Sequence, residues 1–193
     1  KKMFQKNIFK IKIICIGNLY IGGTGKTSLT IEIHNFLKKK YKNVFIKKNY
    51  KNQKDEINLL GNRGQIIYNK SRLKALTFAQ KYRFQLALMD DGLQQKNIKY
   101  NLKIACFNSE EGLGNGYLLP AGPLRESMSE LKYCDIAVIN GEKRNIKLER
   151  NIKKINKNIK IFKGKYEPKN LNNFNLNESY LMFCGIGNPK EFE

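Results

Sequence analysis

The 193-residue chain is long enough for one full domain and the opening of another, and 41% of it is hydrophobic, enough to build a core. Its net charge is +21, from 37 basic and 16 acidic residues, which favours anionic partners such as phosphorylated substrates, anionic lipid surfaces or nucleic acid. No C-x-x-C pair is present, which weakens zinc and thioredoxin-type readings, and neither a secretory signal nor an apolar run long enough to span a bilayer is read in these residues. Lys, Asn and Ile are over-used together, so part of the charge reflects compositional drift, and no interleaved aromatic–basic RNA-recognition module stands out.

In chain order, Ile11–Ile16 reads as a buried strand. It leads into Ile21-Gly22-Gly23-Thr24-Gly25-Lys26-Thr27 and then a helix from about Thr27 to Lys40. Strand, glycine loop, helix is the setting of a nucleotide phosphate site. The glycines let backbone N–H groups turn toward phosphate oxygens, and the helix N-terminus adds partial positive charge. In that pattern Lys26 reaches the outer phosphates and the Thr27 hydroxyl holds Mg²⁺, with Thr24 and Ser28 completing the loop. The strict motif has glycine where Tyr20 stands.

Asn43–Lys47 reads as a short second strand, Lys48–Asn62 as a polar, loop-rich stretch, and Gly64–Tyr68 as a strand. Arg72–Tyr82 has helical spacing, and Phe84–Met89 is a buried strand ending at Asp90-Asp91-Gly92. An acidic residue at such a strand end can hold Mg²⁺ in phosphoryl-transfer enzymes, although Asp before Gly also suits a plain turn. Leu102–Phe107 is another strand. Glu111–Glu126 is a loop dense in Gly and Pro, in which Asn115 and Arg125 are candidates for substrate or phosphate contacts. A helix over Ser127–Lys132 and a strand over Asp135–Ile139 follow, the strand ending at Asn140-Gly141. Lys143–Lys160 allows a solvated helix, Ile159–Lys163 a strand, Asn170–Asn177 a polar linker and Tyr180–Cys184 a further strand.

Alternating strands and helices predict an α/β fold: a P-loop NTPase-like three-layer α/β/α sandwich with a mainly parallel sheet. The core domain is expected over 1–169, with a linker and the start of a smaller second domain over 170–193. Ligands of such sheets sit at the C-terminal strand ends, where the glycine loop, Asp90-Asp91 and Asn140-Gly141 converge. Asp55-Glu56 reads as surface acid, His34 as a partly buried helix residue, and three of Cys15, Cys106, Cys134 and Cys184 as buried thiols of a reduced environment. The chain begins Lys-Lys-Met and ends Phe192-Glu193 in what reads as a helix start, so a longer parent protein is expected.

Taken together, GNLYIGGTGKT, DDGLQ, GNGYLLPAGPLRE, DIAVINGE and CGIGNPKEF resemble, in order and spacing, the tetraacyldisaccharide 4′-kinases, from about Ile13 to Phe192. GNGYLLPAGPLRE is far more specific than the phosphate loop. The resemblance implies Mg²⁺- and ATP-dependent phosphorylation of the 4′-hydroxyl of tetraacyldisaccharide 1-phosphate in lipid A synthesis. It also implies a peripheral site on the cytoplasmic face of the bacterial inner membrane, where a basic surface suits anionic lipid. A monomer without nucleic-acid partners is expected. Gly22, Gly23, Gly25, Lys26 and Thr27 match the family's phosphate loop, and Asp90 and Asp91 match its acidic pair at the metal. Asp55 matches the aspartate of G-D-E-P, which resembles a catalytic base. This chain departs where S-R-G-Y is Lys47-Lys48-Asn49-Tyr50, where G-D-E-P is Lys54-Asp55-Glu56-Ile57, and where Gln95 replaces a histidine. The alternatives are a homologue that binds ATP without transferring phosphate, or a basic nucleic-acid-binding P-loop protein.

Overall fold

The computed structural model describes residues 6–49, 54–167, 171–175 and 177–181. Its centre is a seven-stranded, all-parallel sheet in the order β3-β2-β4-β1-β5-β6-β7. The strands are β1 (Lys12–Gly17), β2 (Asn43–Lys48), β3 (Ile66–Asn69), β4 (Leu86–Asp90), β5 (Leu102–Asn108), β6 (Ile136–Asn140) and β7 (Lys160–Gly164). The helices are α1 (Lys26–Leu37), α2 (Lys54–Gly61), α3 (Arg72–Lys81) and α4 (Ile146–Ile155). This is the α/β sandwich expected from the alternation of periods.

Alternation along β1 sorts the two faces. Ile14 and Ile16 pack under α1 with Leu29 and Ile33, and α2 joins that layer through Leu60. Ile13 and Cys15 face the other layer. There α3 contributes Ala75, Leu76 and Ala79, and α4 contributes Leu148 and Ile152. Every residue of β4 is buried, as a central parallel strand covered on both faces requires.

Two elements correct the sequence reading. Lys48–Asn62 was expected to be loop-rich, yet Lys54–Gly61 is helical. Only Leu60 of that helix is buried, so its apolar period is too faint to read; the visible sign is Asp55 and Glu56 in the first turn, where acids favour the helix N-terminus. The helix expected over Ser127–Lys132 is a 3-10 helix, Met128–Tyr133, capped by the Ser127 hydroxyl. It is one short bend between the proline-rich loop and β6, and the Asn156 amide ties it down by donating to the carbonyls of Leu131 and Cys134, each at 3.0 Å. The strand expected over Tyr180–Cys184 falls mainly on residues outside those described, as does most of the expected second-domain start.

Candidate functional site

The glycine loop spans the end of β1 and the start of α1. Gly25 is the N-cap of α1, with φ of 72°, and no side chain caps the helix. The first turn of α1 carries no acid. Its leading N–H groups are thus left for an external acceptor, with the helix dipole behind them. Neighbours hold the loop open. The Asn140 amide, at the end of β6, donates to the Thr24 carbonyl at 2.6 Å, and the Asn108 amide at the end of β5 donates to the Gly23 carbonyl at 3.4 Å.

Tyr20, where the strict motif has glycine, is 2% exposed. Its ring packs against Phe107 with centroids 6.2 Å apart, and its hydroxyl accepts the Asn108 N–H. It anchors the loop in the core.

Asp90 and Asp91 sit level with the end of β1: Ile16 pairs with Asp90, and the Asp91 N–H donates to the Ile16 carbonyl at 2.8 Å. The two carboxylates part company there. Asp90 is fully buried; its Oδ2 lies 3.5 Å from the Thr27 hydroxyl, which donates to it, and its Oδ1 is buried without a hydrogen-bond partner. Asp91, with φ of 58°, has both oxygens engaged by the Arg125 guanidinium, at 2.7 and 3.3 Å. Arg72, 6% exposed, donates to the Asp91 carbonyl and secures that backbone. Burial alone would raise the Asp91 carboxyl, but the hydrogen bonds and charge of Arg125, with Lys26 and Arg72 behind, hold it below its ordinary range.

A hydroxyl beside a buried carboxylate with one unpartnered oxygen is a donor set suited to a hard divalent cation. Thr27 and Asp90 therefore fit a metal, whereas both Asp91 oxygens are taken by Arg125.

The proline-rich loop lies against this site. The Ile21 N–H donates to the Pro123 carbonyl at 2.9 Å, and the Arg125 N–H to the Leu19 carbonyl at 2.7 Å. This pairing carries the Arg125 side chain to Asp91. Asn115 does not join it: its amide donates to the Ala121 carbonyl and its oxygen accepts from Tyr117, both inside the loop. Asp55 is exposed in the first turn of α2. Its neighbour Glu56 instead reaches Lys47, whose ammonium also lies 2.5 Å from Asp90 Oδ2. The Lys47 side chain is 3% exposed. Burial works against its charge, but Asp90 and Glu56 outweigh that and hold the ammonium above its ordinary value.

Lys47 entered the sequence reading only as a strand end and a departure from S-R-G-Y, and nothing there singled out Arg72 or Asn108. A lysine or arginine in so basic a chain carries little signal until the fold buries it. His34 is structural: it shares a hydrogen bond with Asn43 and stacks on Phe45 at 4.6 Å. Cys15, Cys106 and Cys134 are buried free thiols; burial pushes Cys15 and Cys134 up to about 12 and Cys106 also upward, so they stay protonated.

A cleft of about 330 Å³ opens beside Gly25 and Ser28, between α1 and the β6–β7 edge, floored by Ile104, Ile136 and Val138. A larger groove, about 460 Å³, lies at the opposite strand ends by Lys42, Gln65 and Phe84, away from the glycine loop. The smaller cleft adjoins the glycine loop through Gly25 and Asn140, on the flank of α1 away from Asp90 and Asp91.

Residues 1–193 match the family model for tetraacyldisaccharide-1-P 4′-kinase. The chain is 49% identical over 185 residues to the tetraacyldisaccharide 4′-kinase of Pelagibacter ubique, covering 95% of this chain and 59% of that protein. It is 30% identical over 227 residues to the enzyme of that name from Ruthia magnifica, covering all of this chain and 68% of that protein. The chain thus spans about three-fifths to two-thirds of the length of these relatives. Among solved structures, the Aquifex aeolicus LpxK in complex with ATP superposes with a TM-score of 0.62 at 22% identity, over 70% of this chain and 50% of that one. An archaeal hydrogenase maturation factor, HypB from Archaeoglobus fulgidus, superposes at 0.55 and 16%, over 81% of each chain, a likeness of fold. By the match along its whole length, the chain belongs to the tetraacyldisaccharide-1-P 4′-kinase family.

Proposed function

We propose that this protein transfers the γ-phosphoryl group of ATP to the 4′-hydroxyl of a tetraacyldisaccharide 1-phosphate. The observation that carries this reading is an uncapped α1 N-terminus that begins with Lys26 and Thr27, the Thr27 hydroxyl donating to Asp90 Oδ2 while the buried Asp90 Oδ1 has no hydrogen-bond partner, in a chain of this family. Thr27 and Asp90 would hold Mg²⁺, which when bound offsets phosphate charge. The N–H groups of Gly23–Thr27 orient the phosphates, and the Lys26 ammonium offsets charge on the transferring group. Asp91 acts at one remove: clamped by Arg125, it fixes the end of β4 and the proline-rich loop together. Asp55, exposed and free to meet an acceptor, takes the proton of the sugar hydroxyl. Catalysis of this kind is positioning and electrostatics more than covalent chemistry.

The basic surface supports a peripheral place on an anionic membrane face, where the acylated acceptor resides. Among the described residues, no helix is long and apolar enough to cross a membrane. We take the cytoplasmic face of the inner membrane as the working site and the monomer as the working unit.

The test is phosphorylation of the disaccharide with labelled ATP, using the protein as its gene encodes it. Lys26→Ala and Asp55→Ala should each lower turnover by about a hundredfold or more. Unchanged turnover in both would defeat the assignment. ATP binding with no transfer by the parent protein would favour the homologue that binds without catalysing.

A further inference from the structure

The kinase reading leaves Lys47 unused, although it is the most enclosed cation of the site. It stands near the C-terminal end of β2, one strand away from β1 across β4. Its ammonium contacts two carboxylates on different elements: Asp90 at the end of β4 and Glu56 in the first turn of α2. Glu56 is 35% exposed along its side chain and adjacent to Asp55. Among the described residues, α2 packs on β3 and α1. Its one buried residue, Leu60, sits among α1, β2, β3 and β4 near the C-terminal end of the helix, whereas its first turn carries the Glu56–Lys47 pair.

We propose that Lys47 is a positioning residue: it ties the first turn of α2, and with it Asp55, to Asp90. The acceptor-side carboxylate and the metal-side carboxylate are thereby held in one frame. Lys47 engages Asp90 through Oδ2 and leaves the buried Oδ1 without a hydrogen-bond partner, so the tie is compatible with a cation on the other oxygen. Without the tie, α2 frays from its N-terminus, the glycine loop keeps its own supports from Asn140 and Asn108, and nucleotide affinity persists while transfer falls. The catalytic half of this inference rests on the kinase reading; the structural half does not.

The test compares Lys47→Met, Lys47→Arg and Glu56→Gln in the nucleotide-free protein by amide hydrogen exchange. Lys47→Met and Glu56→Gln should speed exchange across α2 by about fivefold relative to β4, as loss of a partly buried ion pair would. Lys47→Arg should restore part of the protection. Removing Lys47 strands Asp90 and can unfold the protein, in which case Glu56→Gln decides. Unchanged α2 exchange in Glu56→Gln overturns the tie. In phosphorylation assays Glu56→Gln should lower kcat several-fold while the dissociation constant for a fluorescent ATP analogue stays within about twofold. An equal loss of both would overturn the positioning role. Exchange is read without catalysis, so absence of transfer by the parent protein would count against the kinase reading and leave the tie standing.

Discussion

At Asp91, two arginines fix one residue: Arg125 clamps its carboxylate and Arg72 holds its carbonyl. A left-handed backbone at a non-glycine residue needs such support. The pairing also makes stability depend on pH in a stated direction. The Asp91 carboxyl is held below its ordinary 3.8 in the folded chain, so its contribution is present above that value and fades as pH falls through the lower folded value. Arg125→Met should therefore lower unfolding free energy by about 2 kcal/mol at neutral pH, the scale of a charge-assisted pair. The gap between variant and parent should close in urea titrations below about pH 4. A gap that stays constant down to the acid limit would show that Arg125 acts through packing alone.

At the scale of elements, the β1–loop–α1 unit was fully legible. Its glycines, Lys26 and Thr27 are contiguous, and the bounds shift by one residue except at the end of α1, which stops at Leu37 rather than Lys40. The reason Gly25 must be glycine is tertiary as well as local. With φ of 72°, an added Cβ would come within 2.5 Å of the Tyr166 hydroxyl and 2.6 Å of the Asn140 amide. Gly25→Ala should thus cost at least about 2 kcal/mol and lower Tm by roughly 4–8 °C. It should also weaken nucleotide binding, because the Asn140 bond to the loop carbonyl must move; a variant with parental Tm would refute the crowding. Helix α2 was illegible because Leu60 is its one buried residue, and the contact of its Glu56 with Lys47 joins a residue read as surface acid to one read as the end of a strand. Helix α4 was legible in period, yet its packing was underestimated: Leu148 and Ile152 are buried against β5 and β6, and the Asn145 side chain caps it.

Over the whole molecule, parallel strands bring the ends of β1, β4, β5 and β6 to one edge, where the glycine loop, Asp90, Asp91, Asn108 and Asn140 lie, while β2, α2, α3 and the proline-rich loop bring Lys47, Asp55, Arg72 and Arg125. The charge of +21 is spread along the chain and bears on location more than on fold. If it draws the protein to anionic lipid, binding to anionic phospholipid vesicles should weaken by about tenfold or more between roughly 0.05 and 0.3 M salt, with little retention on neutral vesicles. Equal binding to both vesicle types would remove electrostatics from the account.

The sequence by itself determined the fold class, the phosphate loop and the family. These rest on local period and on contiguous motifs, whose chemistry needs no knowledge of distant neighbours. Only the tertiary structure decided how Asp90 differs from Asp91, that Arg125 belongs to Asp91, that Asn115 is spent inside its own loop, and that Lys47 joins Asp90 to α2. Each is a pairing of residues far apart in the chain, and burial, which sequence does not display, is what gives such a pairing its consequence.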